Sequence, residues 1–244
     1  MKKAKPALLI AASLLTTVII AAGLFYFGIL WFNNPSIKEY PVRGVDVSSY
    51  QGNIDWEILS SQNIHFAFIK ATEGSSFVDK YFQTNYNNAQ NTELRIGAYH
   101  FFSFDSMGKT QAENFIGQVP KIVGALPPVV DFEFYGDKEK NLPQPEAART
   151  ELNVLLSELE TYYEVKPIIY ATEKAYSIYL AGYYEAYDIW IRNIFTKPNK
   201  LHNQIWKFWQ YTNRGRLAGY KGQERYIDIN VFNGTIEDFY AYAK

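Results

Sequence analysis

The chain has 244 residues, of which 48% are hydrophobic and 17% aromatic, and its formal net charge is −1 at pH 7. This length fits one domain of barrel size, and the charge argues against a nucleic-acid-binding protein, which needs a basic face. The sequence has no cysteine and three histidines, which excludes disulfide bonds and disfavours a zinc site, so we expect neither a metal nor a cofactor.

The N-terminus predicts a membrane anchor. Residues 1–6 are basic, and residues 7–32 form an apolar run that carries no charge. This run is longer than the roughly 20 apolar residues that span a bilayer. A cleavable signal peptide usually has a shorter apolar run, although Ala-Ala-Gly at 21–23 offers a cleavage alternative. We expect a single-pass signal anchor of a bacterial membrane, with a cytoplasmic basic tip, a linker over 33–41 and an extracytoplasmic domain over 42–244.

Eight apolar runs after the linker predict eight strands. Turn residues or helical patterns separate them, and the longest helical pattern, residues 144–163, places Leu152, Leu155 and Leu159 at helical spacing. Strands that alternate with helices favour an α/β fold with a parallel sheet, and eight strands favour an irregular (β/α)8-type barrel. The runs cover residues 43–49, 65–71, 95–102, 127–134, 166–171, 188–193, 205–211 and 226–232.

An open, doubly wound sheet is the main alternative to the barrel. Such a sheet usually has a glycine-rich phosphate loop after its first strand. The corresponding residues here, 46–52, read DVSSYQG and do not match that pattern, which favours the barrel.

Two carboxylates, Asp131 and Glu133, lie in the apolar fourth strand, PPVVDFEF. Alternate residues of a strand face the same side, so these side chains should lie together, with Cα atoms about 7 Å apart. Burial of unpaired charge is unfavourable, so the pair indicates a salt-bridge network, a Ca²⁺ or Mg²⁺ site, or catalysis. Like charges raise at least one pKa, which suits the general acid of glycoside hydrolysis.

The carboxyl ends of barrel strands usually carry the chemistry. They add the carboxylates Asp46 and Asp228, although Asp46 is also consistent with a turn cap. We interpret Trp209 and Tyr211, which share one face of the seventh strand, as a sugar platform, with a core position as the alternative. The other polar and aromatic candidates at strand ends are Tyr99, Tyr170, Arg192 and Gln210.

Eight segments resemble, in order, the signature segments of the family 25 glycoside hydrolases, which are lysozyme-type enzymes of peptidoglycan. The resemblance runs from about Arg43 to Phe239 and implies an irregular β/α barrel. It also implies cleavage of the β-1,4 bond between N-acetylmuramic acid and N-acetylglucosamine. The segments are RGVDVSSYQGNIDW, FAFIKATEG, RIGAYHFF, PPVVDFEF, KPIIYAT, YDIWIRN, FWQYT and YIDINVFNG.

The resemblance also implies roles for individual residues. Glu133 corresponds to the general acid/base, and Asp131 to the carboxylate that orients the acetamido group of the substrate. Asp46 and Asp228 complete the acidic site. The implied mechanism is retaining, by either substrate assistance or a carboxylate nucleophile. Tyr99, Tyr170, Trp209 and Tyr211 correspond to residues that line the groove.

Two departures from the family pattern bear on function. Arg192 and Asn193 occupy positions where the family more often has a small residue and an aromatic residue. We expect these two residues either to change the shape of one sugar subsite or to pair with an acidic side chain. No wall-binding repeat follows the barrel, so we expect a monomeric barrel that the membrane anchor holds near its peptidoglycan strands. The alternatives are a non-catalytic glycan-binding scaffold and a hydrolase of a modified or different polysaccharide.

Overall fold

The computed structural model of the protein describes residues 4–26, 33–198 and 204–242. The chain forms two compact units, Met1–Asn34 and Pro35–Lys244.

Helix α1 (Ala4–Tyr26) is the regular element of the first unit. Its segment Pro6–Tyr26 has a mean hydropathy of 2.5 and is long enough to cross a membrane, a property that an N-terminal signal sequence shares. The predicted anchor extends to residue 32, and its last residues, 27–32, lie outside the described residues. Residues 1–3 of the predicted basic tip lie outside them as well.

The second unit contains a closed barrel of eight strands, which confirms the predicted architecture. The neighbour order is β1-β9-β8-β7-β6-β5-β4-β2, and pairing of β1 with β2 closes it. The additional strand β3 forms a short hairpin with β2. The bounds are β1 (Arg43–Val47), β2 (Phe66–Glu73), β3 (Phe77–Val78), β4 (Arg95–Phe101), β5 (Val129–Phe132), β6 (Ile168–Thr172), β7 (Ile189–Arg192), β8 (Phe208–Gly215) and β9 (Ile227–Phe232).

Strand β9 is antiparallel to both of its neighbours, β1 and β8, whereas the other barrel pairs are parallel. No helix lies between β8 and β9, so the chain returns as a long hairpin rather than through a crossover. The beginning of β9 therefore lies at the end of the barrel where the seven parallel strands finish. We call this end the carboxyl face.

Helices cover the first part of the barrel, as the sequence predicts. Asp55 caps α2, because its carboxylate accepts a hydrogen bond from the amide of Ile58 at 3.1 Å. Helix α6 continues into a π-helical turn over Tyr176–Leu180. The helices are α2 (Trp56–Ser60), α3 (Phe82–Ala89), α4 (Gly108–Gln118), α5 (Pro145–Tyr163), α6 (Glu173–Ala175) and α7 (Ile236–Ala241).

An aromatic core fills the barrel between the carboxyl face and the opposite end. Phe68 stacks on Trp190 with ring centroids 4.7 Å apart, and Phe208 meets Phe66 at 5.3 Å. Phe239 of α7 packs against Phe66 at 5.5 Å and closes the opposite end. This packed core fills the barrel below the carboxyl face.

The guanidinium group of Arg95 holds α7 against the barrel. It donates hydrogen bonds to the carbonyl oxygens of Phe239 at 2.6 Å and Tyr242 at 3.1 Å. These carbonyls lie at the end of the last helix, where Phe239 also accepts from the amide of Tyr242 at 3.2 Å, so the charged donor adds to the capping of this helix end.

Glycines in the barrel strands leave space for the interior aromatic rings. Substitution of Gly44 should therefore destabilise the protein. A Cβ atom at Gly44 would lie 2.3 Å from the ring of Phe66, which is fully buried and has no space to move. We expect Gly44→Ala to lower the free energy of unfolding by about 1–3 kcal/mol, the usual range for overpacking. Urea unfolding of residues 35–244, for the parent protein and the variant, measures this change in the free energy of unfolding.

The matched control is Gly117→Ala in helix α4, where no atom lies within 4 Å of the new Cβ. Alanine there should raise the free energy of unfolding by about 0.5–1 kcal/mol. Equal midpoints for Gly44→Ala and the parent protein would contradict the proposed packing.

Candidate active site

A cavity of about 660 Å³ opens at the carboxyl face. We call it the barrel cavity. Eight of the ten predicted site residues line it, and these include all four carboxylates. They are Asp46, Tyr99, Asp131, Glu133, Tyr170, Arg192, Gln210 and Asp228.

Asp131 at the end of β5 and Glu133, the residue after this strand, both line the cavity, whereas Phe132 between them turns outward into the core. Asp131 is buried, and no described residue hydrogen-bonds to its Oδ1 atom. Burial and then the charge of Glu133 raise the pKa of Asp131 well above its usual value. Burial also raises the pKa of Glu133, against a lowering by the charge of Arg192. Burial and the proximity of the two carboxyls therefore favour a proton on one member of the pair.

Asp46 lies at the centre of a hydrogen-bond network. Gln210 Nε2 donates to its two carboxylate oxygens at 3.0 and 3.1 Å, and Asn230 Nδ2 donates to Oδ1 at 2.7 Å. Asp228 also hydrogen-bonds to Asp46, and the two are opposite each other in the β1–β9 register. Burial raises the pKa of both, but the amide donors favour the ionised form of Asp46. The pair therefore places the charge on Asp46 and the proton on Asp228.

Two aromatic donors fix the orientation of these amides. Tyr170 donates its hydroxyl to Gln210 Oε1 at 3.2 Å, and Trp190 donates Nε1–H to Asn230 Oδ1 at 2.8 Å. The indole nitrogen can only donate, so the amide oxygen of Asn230 must face it and the NH₂ group must face Asp46. Gln210, predicted to contact substrate, is thus oriented towards Asp46. The sequence placed Asn230 with Asp228 in the last strand, and their spacing puts both on the inner face, but no role was predicted for Asn230.

Trp209 and Tyr211 do not line the cavity, and the sugar-platform interpretation is wrong for them. They face outward and are 2% and 4% exposed. Trp209 packs on Tyr40 with centroids 6.0 Å apart and donates its Nε1–H to the carbonyl oxygen of Asn193 at 2.8 Å. Gln210 occupies the inner face between them. Tyr50, which is 57% exposed, is instead the most exposed aromatic side chain among the residues that line the cavity.

His100 and Glu73, two residues near the barrel cavity, have structural roles. His100 is buried between Thr72 Oγ1 at 2.8 Å and Gln111 Oε1 at 3.1 Å, and burial lowers its pKa to about 4. Glu73 forms an ion pair with Lys70 at 2.8 Å. Lys70 lines the cavity and was missed by sequence analysis, because only the barrel turns it towards Asp131.

The comparisons with known proteins agree with this fold. The family model described as "Glycosyl hydrolases family 25" matches residues 45–220. The structure of a family 25 glycosyl hydrolase from Bacillus anthracis has a TM-score of 0.82 and 55% identity, and the match covers 87% of this chain and 98% of that one. A bacterial lysozyme structure from Streptomyces coelicolor has a TM-score of 0.72 and 31% identity, over 83% and 96% of the two chains.

Sequence relatives point the same way. Lysozyme M1 of Streptomyces globisporus is 30% identical over 222 residues, which are 83% of this chain and 71% of that protein. YegX of Escherichia coli K12 is 35% identical over 84% of this chain and 74% of its own length. The resemblance seen in the sequence is confirmed: the chain belongs to the family 25 glycoside hydrolases and is a glycoside hydrolase of the lysozyme type.

Proposed function

We propose that this enzyme cleaves the β-1,4 bond between N-acetylmuramic acid and N-acetylglucosamine in peptidoglycan, with retention of configuration. Glu133 is the general acid/base, and Asp131 orients the 2-acetamido group of the substrate. The observation that carries this proposal is the convergence of four carboxylates in the barrel cavity, together with a buried Asp131 oxygen that has no donor among the described residues.

In the first step, protonated Glu133 gives its proton to the glycosidic oxygen as the bond from that oxygen to C1 breaks. The acetamido oxygen of the same sugar attacks C1 and forms a cyclic intermediate. Asp131 accepts a hydrogen bond from the acetamido N–H, and its negative charge balances the positive charge that develops on this group. In the second step, ionised Glu133 takes a proton from water, which attacks C1 and restores the acetamido group.

Substrate binding sets which carboxyl of the pair holds the proton. In the free enzyme, Asp131 has no hydrogen-bond donor on its buried oxygen, and burial favours its protonated form. An acetamido N–H placed at that oxygen favours the ionised form of Asp131. Ionisation of Asp131 in turn favours the proton on Glu133, where the first step requires it.

Asp46 and Asp228 have an electrostatic role in this proposal. Asp46 holds its charge through the donors Gln210 and Asn230, and it faces the cavity where positive charge develops at C1. Donors that are fixed before the reaction need no reorganisation during it. Asp228 supplies a further donor to Asp46 from the closing strand.

We also propose that residues 7–32 anchor the enzyme in a bacterial membrane, with residues 33–41 as a linker and the catalytic domain over 42–244 on the extracytoplasmic side. The apolar helix α1 supports a signal anchor or a signal peptide. Peptidoglycan lies on the same side of the membrane, and a monomeric barrel provides all the proposed catalytic residues.

Product analysis tests the bond assignment. Residues 35–244 are incubated with purified peptidoglycan, the soluble products are reduced with borohydride, and mass spectrometry identifies the reduced ends. We expect reduced muramic acid. Reduced glucosamine would keep a glycosidase but contradict the bond assignment, and binding without release of products would favour a glycan-binding scaffold.

A further inference from the structure

Arg192 is a cation in the barrel cavity whose charge acts on nearby carboxylates, although its guanidinium group makes no direct contact with them. It ends β7 and lines the cavity, yet no described residue forms an ion pair or hydrogen bond with its guanidinium group. The other two cations that line the cavity are engaged: Lys70 with Glu73 at 2.8 Å and Lys174 with Glu139 at 3.1 Å. Arg192 is thus the cation whose hydrogen-bond donors remain available there.

The residues beside Arg192 on neighbouring strands do not satisfy these donors. Its register partner Gln210 uses its amide for Asp46 and Tyr170. On the other side, the hydroxyl of Thr172 accepts from the amide of Ala175 at 3.2 Å. The guanidinium fork is therefore left for a group that enters the cavity.

A substrate carboxylate fits this position. An anion that enters a cavity lined by four carboxyls needs a cation to receive it, and a guanidinium group matches a carboxylate through two parallel hydrogen bonds. In the repeating disaccharide, the only ionisable group is the lactyl carboxylate on O3 of muramic acid. The carboxylates of a stem peptide lie at least one amino acid farther from the reacting sugar.

We propose that Arg192 binds the lactyl carboxylate of N-acetylmuramic acid, and that the enzyme therefore prefers glycan strands whose lactyl groups carry no peptide. This inference rests on the proposed function of the same cavity. In peptide-bearing strands the lactyl group is an amide, which has no charge. A reaction that hydrolyses this amide bond, and so releases the peptide and leaves a carboxylate, supplies the preferred substrate.

Binding of three matched tetrasaccharides to the full chain in detergent tests the inference. The binding measurements use the Glu133→Gln background, which stops turnover, and a separate pH profile of activity uses the protein with Glu133 present. One tetrasaccharide has free lactyl carboxylates, the second has lactyl methylamides, and the third carries a dipeptide that ends in a carboxylate. We expect the free acid to bind about 10–100-fold more tightly than the methylamide, as for a hydrogen-bonded charged pair.

Arg192→Met should remove this preference, and Arg192→Lys should retain part of it. Lys174→Met is the matched control, because it removes a cavity cation that already has a carboxylate partner, and it should leave the preference unchanged. Calorimetry on each variant gives the ratio of the two dissociation constants. This readout does not depend on cleavage, so failure of the proposed function leaves the test intact.

Two results would overturn the inference. In the first, Arg192→Met leaves the preference unchanged and, with Glu133 present, only shifts the alkaline limb of the pH profile upward. This would show that Arg192 only balances the charge of Glu133, since its positive charge lowers the pKa of that group. In the second, the peptide-bearing sugar binds most tightly and depends on Arg192, which would move the recognised carboxylate to the stem peptide.

Discussion

Glu133→Gln should lower kcat/KM on peptidoglycan by about 10²–10⁴-fold, the contribution typical of a positioned acid/base group. Glutamine keeps the shape of the side chain but has no transferable proton and cannot act as a base for water. Glycan binding should persist, since the other cavity residues remain. The rate at which residues 35–244 release reducing ends from peptidoglycan gives kcat/KM for the parent protein and for the variant, and the two values are compared.

A stability measurement separates loss of chemistry from loss of fold. Burial raises the pKa of Glu133, so its stabilising contribution is complete below the pKa of an unfolded glutamate and is lost as pH rises through the folded value. Glu133→Gln should therefore unfold at the same or a higher temperature near neutral pH.

The matched control for this variant is Glu139→Gln, which alters an exposed cavity-rim carboxylate paired with Lys174. It should keep activity within a few-fold, because an exposed ion pair contributes only about 0–1 kcal/mol. Similar losses in Glu133→Gln and Glu139→Gln would refute the assignment of the acid.

Asp131→Asn should lower kcat by about 10²–10³-fold with a smaller change in KM, as for the loss of one fixed electrostatic contact to the transition state. The asparagine oxygen still accepts the acetamido N–H, so the ground-state contact survives. What is lost is the negative charge that balances the cyclic intermediate. Steady-state kinetics on a soluble muramic acid oligosaccharide separate kcat from KM.

The control for Asp131→Asn is Asp137→Asn, an exposed carboxylate on the connection after β5 that accepts a hydrogen bond from Asn141 at 2.8 Å. It should leave kcat unchanged. The assignment of Asp131 fails if its variant retains more than about a tenth of the parent kcat, or if the entire loss lies in KM.

The sequence predicted the strands and the carboxylates well, for physical reasons that differ between residues. Asp131 and Glu133 follow from period-two alternation at the end of a parallel strand. Asp228 was placed in the site because strands were expected to present their carboxyl ends, but it lies near the beginning of β9. It reaches the carboxyl face because that strand is antiparallel, which the absence of a preceding helix could have indicated.

The aromatic residues of β8 show what alternation does not provide. Period-two alternation predicts that Trp209 and Tyr211 share one face of the strand. Both faces of a barrel strand are apolar, so alternation does not identify which face points into the barrel. Tyr40 covers the outer face of this strand, and this contact joins residues far apart in sequence. The hydrogen bonds of Asn230 likewise depend on closure of the barrel.

Closure by β9 also determines when the hydrogen-bond network around Asp46 forms during synthesis of the chain. Strand β9 pairs with β1, which leaves the ribosome long before it, and with β8. Until β9 docks, Asp46 lacks both Asn230 and Asp228, and the barrel is an open sheet with two free edges. At about 5–20 residues per second, synthesis of the residues between Gly215, the end of β8, and Phe232, the end of β9, takes about 1–3 seconds. The hydrogen-bond network around Asp46 is therefore complete only after residues 227–232 have been made and have docked against β1 and β8.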